Sequence, residues 1–139
     1  MVKQVVWLKE YELGFEEIDK QHKKLLCIAN ALYDIATVGG ENLKNDMKIV
    51  LDSLVEYTKY HFNSEEEFQK KYDYKGYELH KLAHNQFVQE VEHQISKLNT
   101  ESQEDALRFY DYIANWVLTH IAKADKLWAD YVKKEEKIN

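Results

Sequence analysis

HFNSEEEF, residues 61–68, sets His61 four positions ahead of Glu65. HKLAH, residues 80–84, repeats that spacing with His80 and His84, and HIAKAD, residues 120–125, places His120 five ahead of Asp125. IDKQH, residues 18–22, contributes His22. Imidazole and carboxylate are side chains of proton transfer and of metal binding. On a helix, residues four apart differ by about 40° in direction, so each close pair can address one point. An offset of five turns Asp125 by about 140° from His120; it must reach sideways, or a local bulge must bring it inward.

These residues do not lie on polar faces. A period of 3.6 residues organises the chain into four apolar stripes, and every stripe carries histidine. The first runs from His22 through Leu25, Leu26, Ala29, Leu32, Tyr33 and Ala36 to Gly39-Gly40, a helix stop. The second passes Leu43, Met47, Leu51, Leu54 and Thr58 and stays in register through His61, Phe62, Glu65 and Phe68. The third begins with His80 and His84 and proceeds through Phe87, Val91 and Ile95. The fourth uses Ala106, Phe109, Ile113, Trp116, Val117, His120, Ile121, Ala124, Leu127 and Trp128. Cys27 reads as a small buried hydrophobe, and Glu66 and Glu67 as a solvated face beside Glu65.

The elements that must position these groups follow from composition. The chain has 139 residues and is 45% hydrophobic, which suits one domain with one core. Proline is absent and glycine occurs four times, so long helices face few interruptions. The spacing predicts helices over roughly 17–38, 42–70, 77–98 and 103–134, after an N-terminal arm over 1–12. Each is roughly 30 Å long. Long helices joined by short loops pack as antiparallel neighbours, giving an all-α, up-down-up-down antiparallel four-helix bundle over 1–139. A net charge of −6 without a basic face argues against nucleic acid. The sequence has neither an apolar run long enough for a bilayer nor a signal-peptide pattern, and its single cysteine agrees with a reducing compartment. A cytoplasmic location with no membrane partner is the expectation.

In such a bundle His22 lies early in its helix and His61 late in the next; His80 and His84 lie early and His120 and Asp125 late. All can meet at one level. Five buried imidazoles without a shared partner would each cost about 1–3 kcal/mol, and a metal centre is the economical partner. Five imidazoles and two carboxylates exceed the needs of one ion with an open position but suit two adjacent ions bridged by the carboxylates. Iron best fits this mixture of nitrogen and oxygen donors; manganese and zinc remain compatible with it.

In order and spacing, IDKQH (18–22), HFNSEE (61–66), HKLAH (80–84) and HIAKAD (120–125) resemble the hemerythrins, specifically the stand-alone bacterial ones. Trp7 and YELGF (11–15) are similar too. Myohemerythrin, of the same family, is a known four-helix bundle. The resemblance implies an oxygen-binding, non-haem di-iron site. His80, His84 and His120 would bind one iron and His22 and His61 the other. Glu65, Asp125 and a solvent-derived oxo or hydroxo group would bridge them, leaving one vacant position for dioxygen. The family's apolar oxygen pocket maps onto Trp116, Val117 and Ile121; valine stands at 117 where leucine is common, which loosens the lid.

The ferritin-like alternative needs two Glu-x-x-His pairs on inward faces. The chain has one such string, Glu90 to His93, and His93 points away from the stripe. A histidine-rich donor set carries less negative charge than a carboxylate-rich one, which favours holding dioxygen over cleaving it. The expected role is therefore reversible oxygen binding for storage, delivery or scavenging, not catalysis. The alternatives are a peroxide- or nitric-oxide-reducing enzyme at the same site, or an oxygen-sensing module excised from a longer protein.

Overall fold

Leu13-Gly14 is where the chain turns into its first helix. Gly14 adopts φ +91°, open to glycine at little cost. The Asp19 carboxylate accepts hydrogen bonds from the Leu13 (2.8 Å) and Gly14 (3.1 Å) backbone N–H groups, pinning the turn to the helix that follows. In this computed structural model, which describes residues 4–136, that helix is α1, Glu16–Val38. α2 is Leu43–Lys71, α3 Tyr77–Lys97 and α4 Gln103–His120. A π-helical turn, Ile121–Asp125, joins α4 to α5, Lys126–Glu135, so that the last three segments form one rod. The architecture is a four-helix bundle in which α1 packs against α2 and α4, and α2 against α3.

The helix ends follow local chemistry. α1 stops at Gly39 (φ 66°) and Gly40 (φ 91°), and the Gln103 side-chain amide donates to the Ala36 carbonyl (2.9 Å), satisfying an orphan acceptor there. Ser102 caps α4 by accepting from the Asp105 N–H at 3.2 Å. The described part of the arm lies along α1 and α4. The Val5 N–H donates to the Tyr110 hydroxyl (2.8 Å), which donates to Asn30 Oδ1 (2.9 Å), and the Asn30 amide returns to the Val5 carbonyl (3.0 Å). Residues 1–3 of the expected arm lie outside the described residues. Among those described, no helix is long and apolar enough to cross a membrane.

The apolar interior is in two parts. A large cluster includes Leu25, Leu32, Met47, Leu54, Phe62, Phe87, Ile113 and Val117; a smaller one holds Leu13, Ile18, Trp128, Ala129 and Val132. Between them, at the level of His22, His61 and His84, the interior is polar. The α3 and α4 rods are bridged by rings, with Phe87 stacked on Trp116 at 3.7 Å.

The π turn changes which residues of the last rod face inward. A π-helical turn holds one residue more than an α turn, so every residue beyond it is displaced by one position in the helical phase. The buried series runs Val117, Ile121, Asp125, Trp128, Ala129 and Val132. Leu127, expected on the apolar stripe, is instead 65% exposed. Cys27, expected inside, is also exposed: five positions from His22, it falls well off the buried face.

The displaced phase has a direct consequence for stability. Leu127→Lys is expected to change unfolding free energy by no more than about 0.5 kcal/mol, whereas Trp128→Ala should cost about 3–5 kcal/mol. Urea unfolding of both variants checks this; a large loss in Leu127→Lys would mean that the last rod is an uninterrupted α-helix.

Candidate metal centre

Four rods each send polar side chains into the layer between the two apolar clusters. His22 comes from α1, His61 and Glu65 from α2, and His80 and His84 from α3. The last rod provides His120 at the end of α4 and Asp125 at the end of the π turn. The five-residue offset that would have turned Asp125 sideways is closed by the bulge, the second of the two routes open to it. Glu65 and Asp125 are fully buried, His22, His61 and His84 are each 1% exposed, and His80 is 6% exposed.

The seven side chains divide into two lobes around the carboxylates. Glu65 Oε1 lies 2.7 Å from His80 Nε2 and 3.2 Å from His84 Nε2, and Asp125 Oδ1 lies 3.0 Å from His80 Nε2 and 3.2 Å from His120 Nε2. On the other side, Glu65 Oε2 is 3.3 Å from both His22 Nε2 and His61 Nε2, and Asp125 Oδ2 is 3.2 Å from His22 Nε2. Each carboxylate therefore shows one oxygen to each lobe. Within the three-histidine lobe, His120 Nε2 stands 3.1 Å from His84 Nε2 and 3.2 Å from His80 Nε2. Two groups of ligand atoms are close enough to hold an ion each: Glu65, His80, His84, His120 and Asp125, and His22, His61 and Glu65.

Neighbours outside this set aim the rings. The His61 Nδ1–H donates to Gln21 Oε1 at 2.8 Å, and the His84 Nδ1–H donates to Glu66 Oε2 at 2.8 Å. With Nδ1 carrying the proton, Nε2 is left with its lone pair facing the centre, the tautomer a metal requires. The Trp128 indole N–H donates to Asp125 Oδ1 at 3.3 Å. Phe62 stacks flat on His84 at 3.7 Å and Trp116 on His120 at 4.5 Å.

The matching family model is described as the hemerythrin HHE cation binding domain, and it covers residues 13–132. The chain belongs to the hemerythrin family. It is 31% identical to a bacteriohemerythrin of Clostridium acetobutylicum, over 90% of this chain and 98% of the relative. It is also 27% identical to a myohemerythrin of Sipunculus nudus, over 86% and 87% respectively. Among solved structures, a hemerythrin L114A mutant superposes with a TM-score of 0.77 at 27% identity, covering 94% of this chain and 97% of that one.

Two of the ring-aiming partners were not legible in the spacing. Glu66, expected on a solvated face beside Glu67, is turned toward His84 and its side chain is only 12% exposed. It lies one position past Glu65, at the edge of the buried stripe, where a carboxylate can bend back to the α3 histidine. Gln21 precedes His22 and is likewise at the stripe's edge. The bonds that aim His61 and His84 thus come from an amide and a carboxylate. Of the residues expected to form an apolar pocket, Val117 and Ile121 are buried in the large cluster with Leu25 and Leu54. Trp116, half-buried, packs against the same cluster and stacks on His120 of the three-histidine lobe.

The electrostatics of this hemerythrin layer call for cations. Both carboxylates are out of water, a costly place for an anion, and the basic side chains close to them are histidines alone among the described residues. In the chain by itself protons fill the role. Burial pushes the His22 ring down, but Asp125 and Glu65 outweigh it and raise its pKa to about 10. Burial likewise opposes protonation of His80, and Asp125 and Glu65 lift it to about 9. His61 goes the other way because burial dominates. Burial disfavours ionised Glu65, yet hydrogen bonds from four histidines hold it well below the usual carboxylate range.

Protons leave part of the demand unmet. Asp125 Oδ2 has no hydrogen-bond partner among the described residues: His22 Nε2 is near it, but the angle of a hydrogen bond is lacking. A buried acceptor in that state calls for a cation. Two ions, one in each lobe, would satisfy it and replace the protons, so the donor set fits a two-metal centre.

Proton displacement sets the pH dependence. His22 and His80 hold protons up to about pH 10 and about pH 9, so below those values a metal must expel them. Cobalt(II) added to the metal-free chain at neutral pH should release protons. Its apparent affinity should rise by about tenfold per pH unit for each proton displaced and level off at alkaline pH. Calorimetry in buffers of different ionisation enthalpy measures the release; affinity independent of pH over this range would contradict it.

Proposed function

We propose that this chain binds dioxygen reversibly at a non-haem di-iron site, as a storage, delivery or scavenging protein and not as an enzyme. The observation that carries the reading is the unequal division of donors about two shared carboxylates. His80, His84 and His120 with Glu65 Oε1 and Asp125 Oδ1 make five donors on one side. His22 and His61 with Glu65 Oε2 make three on the other, with Asp125 Oδ2 beside His22 as the fourth that could join them. His22, His61, His80, His84, His120, Glu65 and Asp125 would hold two irons, with a solvent-derived oxo or hydroxo group completing the bridge. When bound, the iron pair supplies the electrons and the unfilled position that capture dioxygen.

The remaining work falls to the chain's own residues. Gln21 and Glu66 keep the His61 and His84 lone pairs facing inward. The two apolar clusters shield the layer from water above and below, and an apolar gas partitions readily into such a place. Val117 and Ile121 belong to that shield. Five neutral imidazoles to two carboxylates is a donor set of low negative charge, which favours holding the O–O bond over breaking it. The names of the relatives, bacteriohemerythrin and myohemerythrin, support the same reading.

Anaerobic loading with ferrous iron followed by exposure to air tests the function. The expected result is two irons per chain and a visible absorption that appears in air and disappears under argon; fewer than two irons, or a change that cannot be reversed, would overturn the reading. Val117→Leu adds a methylene to the apolar wall and should slow spontaneous oxidation of the oxygenated protein. A variant that oxidises as fast as the parent would remove Val117 from the pocket.

A further inference from the structure

The two lobes have matched hydrogen-bonded supports that differ in charge. On the three-histidine side, the His84 Nδ1–H donates to a carboxylate, Glu66 Oε2, at 2.8 Å. On the two-histidine side, the His61 Nδ1–H donates to an amide, Gln21 Oε1, also at 2.8 Å. Ring atom and bond length are shared; the formal charge of the acceptor is not. The second histidine of the smaller lobe, His22, has no hydrogen-bond partner for its buried Nδ1 among the described residues.

We propose that Glu66 makes the two metal positions unequal, so that the ion held by His80, His84 and His120 binds first and is the first of the pair to be oxidised. This rests on the di-iron reading above. A carboxylate behind an imidazole draws on its N–H, which makes the opposite nitrogen a stronger donor. The His84 side chain is 1% exposed and Glu66 12% exposed, so water screens little of that charge. Donor number acts in the same direction, five against at most four. Both effects favour higher positive charge in the three-histidine lobe, leaving the less charged, electron-richer ion in the lobe with fewer donors. Glu66 is a positioning residue here, acting through His84 without touching the metal.

Glu66→Gln isolates the charge, because glutamine can accept the same hydrogen bond from His84. Stepwise cobalt(II) titration of the metal-free chain, followed by visible absorption, should show the first ion weakened about tenfold to a hundredfold while the second is little changed. In the iron-loaded protein, one equivalent of ferricyanide takes one electron from the iron pair and becomes ferrocyanide. The potential of that step should move to more positive values in Glu66→Gln. Gln21→Glu supplies the opposite test: it should tighten the second cobalt ion and leave the first nearly unchanged. Stepwise affinities and potential both unchanged in Glu66→Gln, in a chain that still takes up two ions, would overturn the inference alone. Uptake of fewer than two ions by the parent would overturn it together with the di-iron reading. Should Glu66→Gln fail to fold, Gln21→Glu decides: a tightened second ion supports the inference and an unchanged one overturns it.

Discussion

Two carboxylates, Glu65 and Asp125, lie out of water in the middle of a helical bundle, and the charge they carry there must be balanced. Bringing a lysine or arginine to each would satisfy the charge but leave nothing to bind. The chain instead surrounds both with imidazoles, which are neutral when a metal is present and can hold protons when it is absent. That choice explains the opposed pKa directions within one layer. His22 and His80 are pushed up because both carboxylates face them, while His61 is pushed down because burial outweighs its single near carboxylate.

The rest of the fold serves that layer. Apolar clusters above and below supply the burial that holds the rods together, so the polar layer need not contribute to stability. Gln21 and Glu66 prevent the rings from turning. The π turn at Ile121–Asp125 is the main departure from regular geometry. It brings two ligands five apart onto one face and also rotates the remainder of the rod, seating Trp128 beneath the site with its indole N–H on Asp125. One inserted residue thus fixes both a ligand and its support.

Much of this could be read from residue spacing because helices convert sequence offsets into directions. His61 with Glu65, and His80 with His84, need only the 3.6-residue period to be placed on one face. Asp125 lay beyond that rule: the offset from His120 told that something irregular was required, but not which irregularity. Leu127 was misplaced for the same reason, since its expected direction assumed a regular helix through the bulge. Gln21 and Glu66 were illegible because their roles depend on the neighbouring helix, at a distance that no single-helix period encodes. Glu66 sits at the edge of the buried stripe and Glu67 beyond it, but only the position of His84 across the α2–α3 contact gives Glu66 its role. The family resemblance carried the pairing of ligands into two groups, which periodicity left open.

The account stands on two metal ions sharing the buried carboxylates, and anomalous diffraction at the iron edge from crystals of the loaded chain examines that directly. It predicts two peaks of similar height between Glu65 and Asp125, one beside His80, His84 and His120 and the other beside His22 and His61. A single peak, or iron found only outside the bundle, would contradict it.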